Sequence, residues 1–171
     1  MGLRSTLQKI KAACWDIPKP RDITYQVLAT NTQRKPLFRD WGLRRNANLG
    51  ICVAALRSSK QVEQAIMFTA RFANEYLMIF GEGPERPKLQ ALIDELGVND
   101  RIMLCGQVSQ QALALAFNVA DWCISTSAHE GYGMALKEAK DSGCTIISYT
   151  GDGRDDVGVD ISLGDVREMR R

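Results

Sequence analysis

The chain has 171 residues, of which 45% are hydrophobic and 25% are charged, which is enough for one globular domain with a sizeable core. Its five cysteines show no close pairing and it has a single histidine, which argues against a disulfide framework and against a transition-metal centre. No apolar run approaches the roughly 20 residues of a membrane span, and the N-terminus lacks the apolar core of a signal peptide. These features predict a cytoplasmic protein with buried, reduced thiols, either soluble or peripheral at the inner face of a membrane.

The net charge of +2 conceals two segments of opposite sign. Residues 1–45 hold ten Lys or Arg and three Asp, a net charge of +7, whereas residues 46–171 hold twelve Lys or Arg and seventeen Asp or Glu, a net charge of −5. We therefore predict a basic N-terminal extension over residues 1–45 and a Rossmann-like domain over residues 46–171.

The start of the extension has the pattern of an amphipathic helix. Leu3, Leu7 and Ile10 fall on one face, and Pro18 and Pro20 end the pattern. Residues 1–20 could bind an anionic membrane surface or a partner domain. The alternative is an extension that docks on the main domain or stays mobile. The basic residues are not interleaved with a stacking platform of aromatic residues, so nucleic acid is not an expected partner.

From residue 46 onward, short apolar runs alternate with segments of helical periodicity. The predicted strands are residues 49–55, 75–80, 101–105, 122–127 and 145–149. The predicted helices are residues 59–72, 86–96, 109–120 and 133–141, with a short charged helix at most over residues 163–171. Continuously apolar strands joined by helices are typical of a parallel sheet covered on both faces, and right-handed crossovers make it doubly wound. The sequence thus predicts an α/β fold with a single Rossmann-like, doubly wound parallel sheet and helices on both faces.

In such a sheet a ligand binds over the carboxyl ends of the strands, and one predicted strand-turn-helix junction there is rich in functional groups. It runs from Ser127 to Gly133 and on into a helix that carries Met134 and Glu138. A helix N-terminus behind a tight loop suits a phosphate, and the carboxylates of Glu130 and Glu138 suit sugar hydroxyls better than phosphates, because like charges repel. The alternative is that Ser127 and Glu130 form a capping box and Glu138 is a solvated helix residue.

Three other loops follow predicted strands. Gly81 and Gly83 would let the backbone approach a ligand closely, although Arg86 completes the spacing where a dinucleotide fingerprint has glycine. Arg57 and Lys60 could donate to phosphate oxygens, or they could simply be the solvated start of a helix. The acidic loop at residues 151–156 could hold a divalent ion, but its spacing matches no calcium loop and surface acidic turns are common.

Several motifs follow one another in a characteristic order between residues 49 and 156. They are Ile79-Phe80-Gly81-Glu82-Gly83-Pro84, Gly106-Gln107-Val108, Ser127-x-x-Glu130-Gly131-Tyr132-Gly133 and Glu138-Ala139. This order resembles the donor domain of family 4 retaining glycosyltransferases of the GT-B architecture. The resemblance implies a domain that binds a nucleotide-diphosphate sugar as donor substrate and needs no metal or other cofactor.

The resemblance also implies roles for individual residues. Glu130 would lie near the hydroxyls of the transferred sugar, and Glu138 would hold the ribose hydroxyls. Lys60 would contact the diphosphate and Val108 would lie beside the base. The residues whose backbone would meet or closely approach the donor are Gly81, Gly83, Gly131, Tyr132, Gly133 and Met134.

Two departures from the family pattern leave the activity open. Ala55 stands where the family has an arginine that pairs with the diphosphate, and Arg57, two positions later, could substitute for it. Thr145 stands where the family usually has a proline, a departure that concerns packing more than chemistry. The acceptor-binding half of the architecture is not recognisable in the sequence. Three hypotheses follow: a donor-binding domain completed by an acceptor domain or partner subunit, a catalytically inactive nucleotide-sugar-binding module or scaffold, and another nucleotide-sugar enzyme such as an epimerase.

Overall fold

The structure is a computed structural model and describes residues 47–127, 133–150 and 159–165. Several predictions lie outside these residues. They concern the extension at residues 1–45 with its helix, the acidic loop at residues 151–156, and the site residues Glu130, Gly131 and Tyr132.

The described residues form a parallel six-stranded sheet with the strand order β3-β2-β1-β4-β5-β6. The strands are β1 (Asn48–Val53), β2 (Glu75–Phe80), β3 (Ile102–Gly106), β4 (Trp122–Ser125), β5 (Thr145–Thr150) and β6 (Ile161–Asp165). The helices are α1 (Val62–Ala70), α2 (Arg86–Glu95), α3 (Gln110–Val119) and α4 (Met134–Asp141), with a 3-10 helix at Ser58–Lys60 before α1. The predicted doubly wound α/β fold is confirmed.

Side chains alternate across the sheet and build a core on each face. Along β2, Tyr76 and Met78 pack on the α3 and α4 side, whereas Leu77 and Ile79 pack on the α1 and α2 side. Four cysteines in these layers are buried as thiols, as predicted: Cys52, Cys105, Cys123 and Cys144. Burial on both faces explains why each strand is continuously apolar rather than alternating.

One contact between β1 and β4 leaves no room for a side chain. A Cβ atom on Gly50 would lie 2.2 Å from ring carbons of Trp122. The indole nitrogen of Trp122 donates to Glu75, and Glu75 also accepts from the amide of Asn48, each at 2.8 Å. The large ring is thereby fixed against the backbone of β1 toward the amino end of the sheet.

Two predicted elements differ from the structure. The helix predicted over residues 59–72 is divided, because Gln61 adopts left-handed backbone angles (φ 49°, ψ 41°) between the 3-10 helix and α1. The short helix predicted from residue 163 is wrong at residues 163–165, which belong to β6. Pairing with β5 decides that strand, and such a non-local partner leaves no mark on local periodicity.

The sheet opens at its topological switch point. β1 stays paired with β2 through Val53, but its pairing with β4 joins only Gly50 to Trp122 and Ile51 to Cys123. Beyond these residues β1 and β4 are no longer paired, and the carboxyl edge at such a switch point is where ligands bind in sheets of this kind. The described part of the chain contains no helix with the length and apolarity needed to cross a bilayer.

Candidate functional site

The loops after β1 and β2 are joined to each other at the carboxyl edge. The backbone N–H of Leu56 donates to the carbonyl of Glu82 at 3.0 Å. A Cβ atom on Gly81 would lie 1.9 Å from the carbonyl oxygen of Ala54, and one on Gly83 would lie 2.4 Å from the carbonyl oxygen of Leu56. Gly81 also has a φ of +143°, a region that favours glycine. Contact between the two loops therefore accounts for both glycines, and their approach to a donor stays a prediction.

The loop after β1 is also tied to the end of β4. Arg57 is exposed and Lys60 is partly buried in the 3-10 helix. The hydroxyl of Thr126, which is 2% exposed, donates to the backbone carbonyl of Lys60 at 3.0 Å. This bond spans the switch point, so the structure brings Lys60 to the point where the chain leaves β4.

Gln61 is a feature that the sequence patterns did not reveal. Its left-handed backbone costs on the order of 1 kcal/mol for a residue with a side chain. Its amide oxygen is buried and has no hydrogen-bond partner within the described residues. The turn that sets the direction of Lys60 relative to α1 is therefore strained, and strain of this kind concentrates at functional sites.

The helix α4 begins at the same edge of the sheet. Gly133 precedes it with a φ of 57° and has no side chain to cap the first turn. Met134, the first residue of α4, is 59% exposed, whereas Ser127 at the end of β4 is buried. Because the positive end of a helix dipole favours an anion, this N-terminus is suited to a phosphate.

The predicted ribose ligand Glu138 lies in α4 and is partly buried. The side-chain nitrogen of Gln110 donates to its Oε1 at 3.1 Å. Ser109 caps α3 by accepting from the N–H of Ala112 at 3.2 Å, which places Gln110 at the first position of that helix. Val108 comes just before this cap and packs partly buried against the core. Glu138, Gln110 and the β3 loop with Val108 thus form one group.

Sequence reasoning missed Gln110 because a glutamine in the first turn of an amphipathic helix matches no motif.

The structure shows two groups at the carboxyl edge: Lys60 with Thr126 beside β4, and Glu138 with Gln110 where α3 meets α4. Chemically, the first can supply positive charge and the second can accept hydrogen bonds. Within the described ranges, no three or more His, Cys, Asp or Glu side chains cluster as metal ligands would.

The family model for group 1 glycosyl transferases matches residues 33–160 of the chain. The chain belongs to the group 1 glycosyl transferases. This membership confirms the relationship to glycosyltransferases that the order of the loop motifs predicts.

Curated relatives of this group 1 glycosyl transferase include two bacterial enzymes. It is 28% identical to the alpha-monoglucosyldiacylglycerol synthase of Acholeplasma laidlawii over 127 residues, which is 72% of this chain and 32% of the relative. It is 26% identical to the N-acetyl-alpha-D-glucosaminyl L-malate synthase of Bacillus anthracis over 114 residues, which is 65% of this chain and 29% of the relative. The chain therefore spans about a third of the length of the curated relatives it matches.

Solved structures share the fold. Anabaena HepE, determined in complex with UDP-glucose, superposes with a TM-score of 0.70 at 18% identity, over 83% of this chain and 42% of HepE. At that identity the likeness establishes the fold, namely a parallel sheet with helices on both faces.

Proposed function

We propose that the chain is the donor-binding domain of a family 4 retaining glycosyltransferase. It binds a nucleotide-diphosphate sugar and transfers the glycosyl group when an acceptor domain or partner subunit completes the site. The observation that carries the proposal is the hydrogen bond from Thr126 to the carbonyl of Lys60 across the switch point. It joins a cationic loop to the end of β4 in a chain that belongs to the group 1 glycosyl transferases.

The proposed roles follow the charges of the donor. Lys60 and Arg57 are cations at the carboxyl edge and contact the diphosphate, together with the N-terminus of α4. Glu138 accepts hydrogen bonds from the ribose, and Val108 lies beside the base. The other proposed donor contacts are Glu130 at the transferred sugar and the backbone of Gly81, Gly83, Gly131, Tyr132, Gly133 and Met134.

The reaction class in this proposal is glycosyl transfer with retention at the anomeric carbon. Negative charge grows on the diphosphate as the bond to the sugar breaks. Lys60 and the helix N-terminus stabilise that charge, so the proposal requires no metal ion. Most of the remaining rate acceleration comes from holding donor and acceptor in the reactive orientation, which requires the acceptor-binding part of the enzyme.

Among the similar structures, HepE was determined with UDP-glucose. This supports a uridine donor as the first to test. The alpha-monoglucosyldiacylglycerol synthase takes its name from a glycolipid, which makes a lipid acceptor one option for the complete enzyme.

Replacement of the proposed ribose ligand tests the function directly. We expect the chain to bind one or more of the uridine, adenosine, guanosine and cytidine diphosphates in calorimetry, and Glu138→Ala to weaken that binding about tenfold or more, because hydrogen bonds to a charged acceptor are lost. Asp141→Ala is the matched control, since it removes an exposed carboxylate one turn later in α4. Absence of binding to all four nucleotides would contradict the proposal.

A catalytically inactive nucleotide-sugar-binding module is the second candidate, and one observation favours it. Ala55 occupies the position at which the family pattern has an arginine, and both Ala55 and Arg57 are exposed. A module of this kind would bind the same nucleotides without transferring sugar. Transfer of labelled sugar by the chain together with its acceptor domain would exclude this candidate.

A further inference from the structure

We propose that Gln110 is a positioning residue that orients the carboxylate of Glu138 for ribose, and that it thereby sets a preference for ribonucleotides over 2′-deoxyribonucleotides. The inference rests on the proposed function, in which Glu138 accepts hydrogen bonds from the ribose hydroxyls. It assigns a specificity role to a residue that lies outside the motifs of the site.

The contact itself has a defined direction. Gln110 Nε2 lies 3.1 Å from Glu138 Oε1, and a carboxylate can only accept, so the nitrogen end of the amide must face it. Gln110 is fixed at the start of α3 by the Ser109 cap, while Glu138 lies inside α4. The hydrogen bond therefore joins two rigid helices, and it restricts a glutamate side chain that would otherwise sample several rotamers.

The donor to Glu138 is neutral, although two lysines flank it in α4. Lys137 pairs with Asp141 at 3.0 Å and Lys140 pairs with Asp160 at 2.9 Å. An amide fixes one carboxylate oxygen without neutralising the group. The second oxygen and the remaining lone pairs can then accept from the two vicinal hydroxyls of a ribose. A lysine in place of Gln110 would compete with those hydroxyls for the charge.

Gln110 also connects the ribose ligand to the loop proposed to lie beside the base. Val108 is two positions before Gln110, on the same short segment between β3 and α3, and it packs against the core. One rigid segment would therefore fix both the position of the base and the orientation of the Glu138 carboxylate. A carboxylate fixed in this way distinguishes a sugar with a 2′-hydroxyl from one without it better than a carboxylate that can rotate away.

Calorimetry on the full chain tests this inference with uridine diphosphate and 2′-deoxyuridine diphosphate, and with the adenosine and guanosine pairs in parallel. The variants are Gln110→Met, which keeps the length of the side chain and removes the donor, and Gln111→Met as the matched control on the next, exposed position of α3. Each is also made in the Glu138→Ala background.

We expect Gln110→Met to weaken ribonucleotide binding about 3- to 10-fold, as for the loss of one hydrogen bond to a charged group near the surface. Binding of the 2′-deoxyribonucleotide should change by less than about twofold, so the preference falls. Gln111→Met should match the parent chain. In the Glu138→Ala background, Gln110→Met should have no further effect, because the group it positions is gone.

Equal losses for the ribose and deoxyribose ligands, or a full additional loss in the Glu138→Ala background, would show a structural role and overturn the inference. The same holds if Gln110→Met and Gln111→Met behave alike while the parent chain binds nucleotide. If the parent chain binds none of the ribonucleotides, the proposed function fails, and the inference fails with it.

Discussion

The two edges of the sheet use their polar side chains in different ways. At the amino edge, side chains bond to the backbone and close the fold. The guanidinium of Arg101 alone donates to four backbone carbonyls at 2.9 to 3.3 Å, those of Thr69, Ala70, Phe72 and Glu75. Asp121 accepts from the N–H of Leu49, and Asp160 accepts from the N–H of Ile146, each at 2.8 Å.

The residues at the carboxyl edge are instead strained, exposed or suited to binding a ligand. Gln61 has a strained backbone and a buried amide oxygen without a partner within the described residues. Met134 exposes an apolar side chain, and Glu138 is held by an amide rather than by a cation. The polar side chains named at the amino edge thus stabilise the backbone, whereas the strained and ligand-type groups lie at the carboxyl edge. Substitutions at the two edges should separate folding from binding.

The largest expected effect is an exception to this separation, because a close backbone contact at the carboxyl edge also determines stability. Gly81→Ala should destabilise the chain by about 4 kcal/mol, since its Cβ would overlap the carbonyl oxygen of Ala54. Gly97→Ala is the matched control: Gly97 has a φ of +65° but open space around it, so the loss should be only about 1 kcal/mol. Urea unfolding measures both, and equal losses would rule out the loop contact as the cause.

At the amino edge, Arg101→Ala should destabilise the chain by about 2–3 kcal/mol, because several carbonyls lose a charged donor. The affinity for nucleotide should stay the same. Arg71→Ala, which removes an exposed arginine from the same end of α1, should change the free energy of unfolding by less than about 0.5 kcal/mol. A nucleotide affinity that falls with Arg101→Ala under native conditions would contradict the separation of the two edges.

Lys60→Ala should weaken nucleotide binding rather than stability, the reverse of what is expected for Arg101→Ala. We expect about a tenfold loss of affinity for a nucleoside diphosphate and little loss for the nucleoside, because the charge acts on the phosphates. Lys140→Ala removes the same charge at the amino edge, where Lys140 pairs with Asp160, and should leave both affinities unchanged. Equal losses for nucleoside and diphosphate would remove Lys60 from the phosphate site.

The smallest expected effect is on the acid dependence of stability, through Asp160 at the amino edge. The hydrogen bond from the Ile146 N–H and then that from Lys140 hold the pKa of Asp160 below its usual 3.8. A lowered folded-state pKa means that Asp160 stabilises the fold above the unfolded pKa, and that this contribution is lost as the pH falls through the folded value. Urea unfolding between about pH 5 and pH 2 should show a slightly weaker acid dependence for Asp160→Asn. An unchanged dependence would exclude Asp160 as a contributor.

The sequence predicted those parts of the molecule that local patterns determine. The bounds of the second strand, residues 75–80, agree with β2, since a continuous apolar run bounded by polar residues marks a buried strand. β6 was missed because its five residues become a strand only by pairing with β5. The break at Gln61 was missed because glutamine is not a residue that signals a left-handed turn.

The sequence likewise predicted individual residues of the candidate site but not the contacts between them. Lys60 and Glu138 stood out by their charge and by their place in a family pattern. The contacts of Gln110 with Glu138 and of Thr126 with Lys60 join residues 28 and 66 positions apart, and no local spacing encodes such pairs. They follow from the topology, which brings the ends of β1 and β4 and the starts of α3 and α4 to one edge.

The packing of Trp122 on Gly50 has a consequence for how the sequence can change. Because ring carbons of Trp122 lie 2.2 Å from where a Cβ atom of residue 50 would be, a side chain at position 50 is compatible only with a smaller or displaced residue at position 122. Replacing Trp122 in turn leaves the carboxylate of Glu75 without its indole donor. Gly50, Trp122 and Glu75 lie on three neighbouring strands and are therefore coupled. An acceptable substitution at one of them requires a compensating substitution at another.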